Sequence, residues 1–364
     1  MTEAAALVDR LLAKGTLKSA PASTFDLKAI QWLWPDRFAI GKLGLLVGLP
    51  DEGKGQILAD MAARVTRGME WPCDEGRAPQ GNVILLSAED DPADTIVPRL
   101  MAADADLSRI EIASMVAMTD SDRMFSLVTD LPLLREKIIT IGKVNLVQID
   151  PISAYLGVGK VDSFRTTDVR AVLAPLVELA AEFRVAIVGI MHFNKKVDVT
   201  NALLRISDSL AFGATARHVY AVVDDEANKR KLVVRGKNNV ATHAQKALAY
   251  NFGVRHVGKD KTTGEVIQAP HILWHAQHVD VTAVEAMTAT KSPAARDEAK
   301  KFLADYLASG PVSSTDIEEA AAANGISRRT LFRAKADLGA EAKQKDGSWS
   351  WHLPQPKRRR SDDT

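Results

Sequence analysis

The stretch GLPDEGKGQ, Gly48 to Gln56, holds residues whose types and spacing could do chemistry. Gly48, Gly53 and Lys54 fall where a phosphate-binding loop, G-x-x-x-x-G-K-[ST], needs them. Such a loop wraps an anion in backbone N–H groups at a helix N-terminus, and glycines stand where side chains would collide. Leu49, Pro50, Asp51 and Glu52 form the middle of the loop. Lys54 would reach the β- and γ-phosphates. The next position should be a hydroxyl residue that holds magnesium, and it is Gly55. The competing reading is a glycine-rich strand-to-helix turn with an incidental lysine.

Three further groups end apolar runs. VNLVQIDP reaches Asp150, which on a strand beside the loop's strand could hold a magnesium-bound water, or could only cap a helix. VILLSAEDD ends in Glu89, Asp90 and Asp91. Glu89 could orient an attacking water, while Asp90 and Asp91 are read as caps of the turn before Pro92. IVGIMHFNKK reaches His192, which could hydrogen-bond a γ-phosphate or be merely structural. All of these fall at carboxyl ends of expected parallel strands, where open α/β sheets bind ligands. The histidines of HILWHAQHV do not alternate as a metal face would, and GVGK at 157–160 lacks loop spacing.

The elements that must position these residues are legible. KLGLLVG, GNVILLS, VNLVQID and VAIVGIMH are near-continuous apolar runs that suit strands buried on both faces. QILADMAARVTRG and DVRAVLAPLVELAAEF carry apolar residues at three-four spacing, so both predict helices, the second with Pro175 inside it. Strand–helix alternation implies a mostly parallel sheet. After about residue 215, four strand-like runs with short turns predict an antiparallel extension.

The last seventy or so residues read as a separate unit. Helices are expected over ARDEAKKFLADYLASG, SSTDIEEAAAANG (with a capping box from Thr315 to Glu318) and SRRTLFRAKADLG. Asp346-Gly347 marks a hairpin turn followed by alternating Trp349, Trp351 and Leu353. Three helices and a hairpin predict a winged helix-turn-helix. Arg328, Arg329, Arg333 and Lys335 would then face duplex DNA, or simply water. KRRR at 357–360 could add nonspecific phosphate contacts. In the core, Lys160, Arg165, Lys195 and Lys196 are candidates to line a DNA channel.

Bulk composition bounds the rest. A net charge of +1 neither favours nor excludes nucleic acid. The single cysteine, Cys73, excludes an intramolecular disulfide and suits a reducing cytoplasm. No apolar run is long enough to span a membrane. MTEAAALVDRLLAKG reads as an amphipathic helix, not a signal peptide.

QWLWPDRFAIGKLGLLVGLPDEGKG, GNVILLSAEDDPADTIVPRLMAA, LVQIDPISAYL, MHFNKK, RISDSLAFGATARHVYAVV and RGKNN follow one another in an order that resembles RecA-like AAA-type ATPases of plasmids, phages and mobile elements. The resemblance is to the RepA type of hexameric replicative helicase. It implies an α/β fold with a RecA-like P-loop NTPase core, ATP and Mg2+ as cofactors, and a homo-oligomer such as a hexamer acting on single-stranded DNA. Lys54 matches the loop lysine, Glu89 the catalytic glutamate, Asp150 the magnesium-linked aspartate and His192 the sensor position. KKVDVTNALLRISDSLAFG matches the loop that faces DNA. Arg217 and Lys237 match basic positions that reach a neighbouring subunit's nucleotide. Gly55, Asp208 and Asn239 depart from the pattern. The expected segments are 1–24 (helix and linker), 25–285 (ATPase core), 292–353 (winged helix) and 354–364 (basic tail). The expected activity is ATP hydrolysis coupled to DNA in replication or mobile-element processing. The alternative is a nucleotide-sensing DNA-binding regulator or loader that hydrolyses little.

Overall fold

The computed structural model describes residues 19–113, 115–118, 122–157, 163, 165–193, 210–243, 246–289, 293–308, 310–326, 328–345 and 348–354. The chain divides into two units, Met1–Gln31 and Trp32–Thr364. In the first, Ala22–Thr24 form a single 3-10 turn with no buried residue. The expected N-terminal helix, the DNA-facing segment up to residue 209 and the basic tail after Pro354 lie outside the described residues, while the last four residues of the DNA-facing segment, 210–213, are helical.

The second unit is organised on a nine-stranded sheet. Its strands are β1 (Leu43–Gly48), β2 (Asn82–Ser87), β3 (Ile110–Ala113), β4 (Val144–Asp150), β5 (Ala186–His192), β6 (His218–Asp225), β7 (Arg230–Asn238), β8 (Leu248–Lys259) and β9 (Val266–Trp274). The spatial order is β9-β8-β7-β6-β1-β5-β4-β2-β3. The six strands from β6 to β3 run parallel. β7, β8 and β9 add to them antiparallel, the extension expected from the late strand-like runs. β3 was not anticipated: IEIA is short, half-buried and interrupted by a glutamate, so it lacks the long apolar run of a central strand.

Helices cover both faces, which is why the parallel strands can be apolar throughout. Along β1, Leu45 and Val47 point into one core and Leu46 into the other. One face is packed by α1 (Lys54–Arg67) and α2 (Val97–Ala102). The other is packed by α3 (Leu131–Ile141), α4 (Thr166–Phe183), α5 (Leu210–Thr215) and α6 (Ala283–Ala289). On α4, Val169, Val172, Leu173, Leu176, Leu179 and Ala180 are buried as the three-four spacing requires. Each such Leu contributes about 1.5–3 kcal/mol by burial. α1 is buried on nearly every side, consistent with its run of small residues, and ends at Gly68 in the left-handed conformation.

Toward the C-terminus stand α7 (Pro293–Leu307), β10 (Val312–Ser313), α8 (Ser314–Ala323), α9 (Arg328–Asp337), β11 (Glu341–Lys345) and β12 (Ser348–His352). β10, β12 and β11 form a three-stranded sheet in that order. Ala299, Leu303, Leu307, Ile317, Ala321, Leu331, Ala334, Ala340 and Trp351 make a separate core. The capping box expected at Thr315 does not form. α8 starts earlier, at Ser314, so Thr315 is already inside its first turn and Ser313 becomes the cap residue, with no side-chain cap bond. The turn at Asp346-Gly347 lies outside the described residues. Among the described residues no helix is long and apolar enough to cross a membrane.

Candidate nucleotide-binding site

The loop between β1 and α1 wraps the N-terminus of a 14-residue helix. Gly53, the residue that starts the helix, has φ +87°, a left-handed conformation that glycine takes without strain. A Cβ there would also stand 2.5 Å from Phe252 Cζ. The Lys54 side chain is buried and folds back along the loop, its Nζ donating to Leu49 O at 2.6 Å and Gly48 O at 3.3 Å. Burial pulls its pKa below the ordinary lysine value, opposed by the charges of Glu52, Asp150, Asp51 and Glu89. An ammonium this short of water is poised for an anion, which would relieve the desolvation.

Sheet register brings the other groups alongside. Gly48 pairs with His192, and Ser87 with Asp150, so the carboxyl ends of β1, β5, β4 and β2 lie level. The expected placement of Asp150 on a strand next to β1 is corrected by the strand order: β5, with His192, lies between them. One cleft of about 410 Å³ is nevertheless lined by Pro50, Asp51, Gly53, Lys54, Gly55 and Gln56, together with Glu89, Asp90, Asp150 and His192. Burial, then the charges of Glu89 and Asp90, raise the Asp150 pKa to about 6. Gathered, partly desolvated negative charge of this kind is what a divalent cation would stabilise, so Asp150 fits a place beside magnesium. Position 55 offers no side-chain oxygen to such an ion.

The two other acids of SAEDD part company. Asp91 caps the following turn as expected, accepting from Ala93 N at 2.7 Å and Asp94 N at 3.2 Å. Asp90 does not cap. Its Oδ2 takes a 2.5 Å bond from Arg99 Nη1. Arg99, Phe252 and Pro270 also line the cleft, and sequence reasoning assigned them no role. Phe252 and Pro270 come from strands some two hundred residues downstream of the loop, which no local pattern could have joined to it. Tyr250, beside them, donates its hydroxyl to Glu52 O at 2.5 Å and so braces the loop from above.

Arg217 and Lys237 are not in this cleft. Both sit at the opposite end of the sheet, where Arg217 N bonds to Leu43 O and Lys237 pairs with Val219. The Lys237 ammonium donates to Gly213 O, Ala214 O and Ala216 O at 2.9, 3.0 and 2.8 Å, closing the C-terminal end of α5. Lys160, Lys195 and Lys196 lie outside the described residues. Arg165 is exposed just before α4. On α9, Arg328 is 76% exposed yet pairs with Glu318 at 2.9 Å, and Lys335 Nζ lies 4.3 Å over the Trp351 ring. Arg329 and Arg333 are on the same helix, their side chains not among those described. His275 and His278, which follow β9, have separate tasks: His275 bonds Asn251 and His278 bonds Glu75. Among the described residues no cluster of His, Cys, Asp and Glu could hold a metal alone.

A glycine–lysine loop opening the first helix of an open α/β sheet, with acids and a histidine level with it at adjoining strand ends, defines a P-loop nucleotide-binding domain. The chain belongs to the AAA domain family, whose match covers residues 15–198. It is thus an AAA-type, RecA-like P-loop ATPase domain, in a family that includes RepA-like helicases. Such a domain implies nucleotide binding, typically with Mg2+. A comparison with curated proteins finds no match.

Proposed function

We propose that this chain binds and hydrolyses ATP and couples the cycle to DNA as a helicase-like motor in replication or mobile-element processing. The observation that carries the reading is the convergence of Lys54, Glu89, Asp150 and His192 on one cleft at the carboxyl ends of parallel strands. The loop amides and Lys54 would hold the phosphate chain. Glu89, exposed at the mouth, would orient a water for in-line attack on the γ-phosphorus, breaking its bond to the β,γ-bridging oxygen and leaving ADP and phosphate. His192, paired with Gly48, would sense the γ-phosphate. Bound Mg2+ would supply charge neutralisation of the phosphates, with Asp150 beside it.

The DNA part of the proposal rests on the resemblance to RepA-type hexameric helicases and on the C-terminal unit. Three helices and a three-stranded sheet on one small core support a winged helix over 292–353 that meets duplex DNA through Arg328, Arg329, Arg333 and Lys335. Lys195 and Lys196 stand three and four residues after His192 in sequence, so a loop there would link the nucleotide to single-stranded DNA. Arg217 and Lys237, remote from their own cleft, would serve a neighbour's in a homo-oligomer such as a hexamer, in the cytoplasm. The second reading, a nucleotide-sensing regulator or loader with weak or no turnover, is favoured by Gly55.

ATP turnover with and without single-stranded DNA, beside a Lys54→Ala control, separates the readings. DNA-stimulated turnover that Lys54→Ala abolishes supports the motor. Nucleotide binding with turnover no higher than the control supports the regulator. Mass measurement with and without ATP tests the ring.

A further inference from the structure

The cleft contains a permanent cation that the loop motif does not provide. Arg99 lies in the first turn of α2, and its guanidinium borders the same space as Lys54, Glu89, Asp150 and His192. It is 27% exposed, and among the described residues Asp90 is the one partner to which it donates. An ideal Cβ on Gly55 would stand 3.4 Å from Arg99 Nη1 and 3.8 Å from Asp150 Oδ2. The side chain missing at position 55 would therefore project between this guanidinium and the carboxylate. A side chain there would lie in ordinary contact with both groups, and a glycine leaves the space between them open.

We infer that Arg99 is a nucleotide-binding residue, whose guanidinium takes phosphate oxygens of the nucleoside triphosphate beside Gly55 and makes the grip on ATP less dependent on divalent cation. This rests on the nucleotide reading above and deepens it. The chemistry is that of a planar fork with five donors, which matches phosphate oxygens and does not lose its proton. The electrostatics point the same way. Asp51, Glu52, Glu89, Asp90 and Asp150 crowd the site with negative charge, and a polyanion entering it meets two fixed cations in the cleft, Lys54 and Arg99. The salt bridge to Asp90 holds the guanidinium at the rim until the phosphates arrive. Arg99 and Asp90 are 27% and 34% exposed, so the guanidinium is already part-desolvated in the free site and phosphate oxygens would take the place of the Asp90 oxygen on it.

The test is ATP affinity measured calorimetrically in Mg2+ and in EDTA, for wild type, Arg99→Gln, Asp90→Asn and Lys54→Ala. Wild type should hold ATP in EDTA within about tenfold of its affinity in Mg2+. Arg99→Gln should lose roughly 10- to 100-fold in EDTA, the worth of one or two charge-assisted bonds, and lose less in Mg2+. Adenosine binding, which has no phosphate to report, should not change. Asp90→Asn, which releases the guanidinium, should keep or raise the EDTA affinity, and it tests the idea even if Arg99→Gln fails to fold. An Arg99→Gln protein with wild-type EDTA affinity, or an Asp90→Asn protein that loses tenfold, overturns the inference. If Lys54→Ala leaves ATP binding intact, the nucleotide reading fails. If Lys54→Ala abolishes binding while Arg99→Gln changes nothing, Arg99 alone has been misassigned.

Discussion

Replacing Glu75 by alanine should be among the most damaging single changes to this protein, although Glu75 is far from the chemistry. Its carboxylate accepts from Arg37 Nε at 2.6 Å, Arg37 Nη2 at 2.5 Å, Trp34 Nε1 at 2.6 Å and His278 Nε2 at 2.7 Å. Arg37 is 1% exposed and wedged between Trp34 and Tyr220, 5.6 Å from each ring. Without Glu75 it keeps a bond to Lys246 O at 2.9 Å and has no counter-charge. Stranding a buried charge in this way costs about 3–5 kcal/mol. The lost Trp34 bond adds about 1 kcal/mol. Removing both charges strands nothing, so Arg37→Met with Glu75→Leu should recover most of the loss. The readout is urea unfolding followed by tryptophan fluorescence, which Trp34, stacked on Trp71 at 4.2 Å and edge-on to Trp274, reports from the spot itself. With a slope of about 3 kcal/mol/M, Glu75→Ala should lower the midpoint by more than about 1 M. A shift under about 0.3 M, or a double variant no better than the single one, would refute the account of this pair as a buried charge and its necessary partner.

Other expectations follow from single positions. His218 is fully buried, its Nε2 accepts from Ala39 N, and burial lowers its pKa from 6.5 to about 4. The unfolded chain therefore binds the extra proton first. The stability held above pH 6.5 should fall as pH drops toward 4, by about 3 kcal/mol in all, and a His218→Asn protein should not show that slope. Gly53→Ala places a Cβ at φ +87° and 2.5 Å from Phe252 Cζ. It should cost about 1–2 kcal/mol in thermal or urea unfolding and weaken ATP binding, whereas unchanged binding would mean the loop reshapes freely. Gly55→Ser should strengthen the Mg2+ dependence of ATP binding, since it adds a hydroxyl between Arg99 and Asp150. If affinity and turnover both stay as they were, the missing hydroxyl was never a handicap.

The parts of this architecture that show in the sequence are those with dense local signals. LGLLVG, NVILLS, VNLVQID and AIVGIMH declare strands because a strand buried on both faces needs apolar residues at every position. Lys54, Glu89, Asp150 and His192 were legible because each stands at the polar end of such a run. Strand order is not a local property, so the interposition of β5 between β1 and β4 escaped the sequence. Asp90 looked like its neighbour Asp91 and differs only through Arg99, which arrives from the following helix. Thr315 and Glu318 have capping-box spacing, but the chain enters α8 one residue sooner. Phe252, Pro270 and Tyr250 reach the loop by the folding back of β8 and β9, and nothing near Gly53 foretells them.

That folding back also sets when the pocket can exist. The family match ends at residue 198, but one flank of β1 is β6, which begins at His218. Tyr250 holds Glu52 O, and Trp274 Nε1 holds Asp60 Oδ2 on α1 across 214 residues of chain. At ribosomal speeds of about 5–20 residues per second, Trp274 is made roughly 10–40 s after Asp60. Until β6 has been made within that interval, β1 has no neighbour on one side, and until Tyr250 follows the nascent phosphate loop has no roof. A fragment trimmed to the matched residues would stay permanently in that unfinished state, with a bare strand edge where its centre should be.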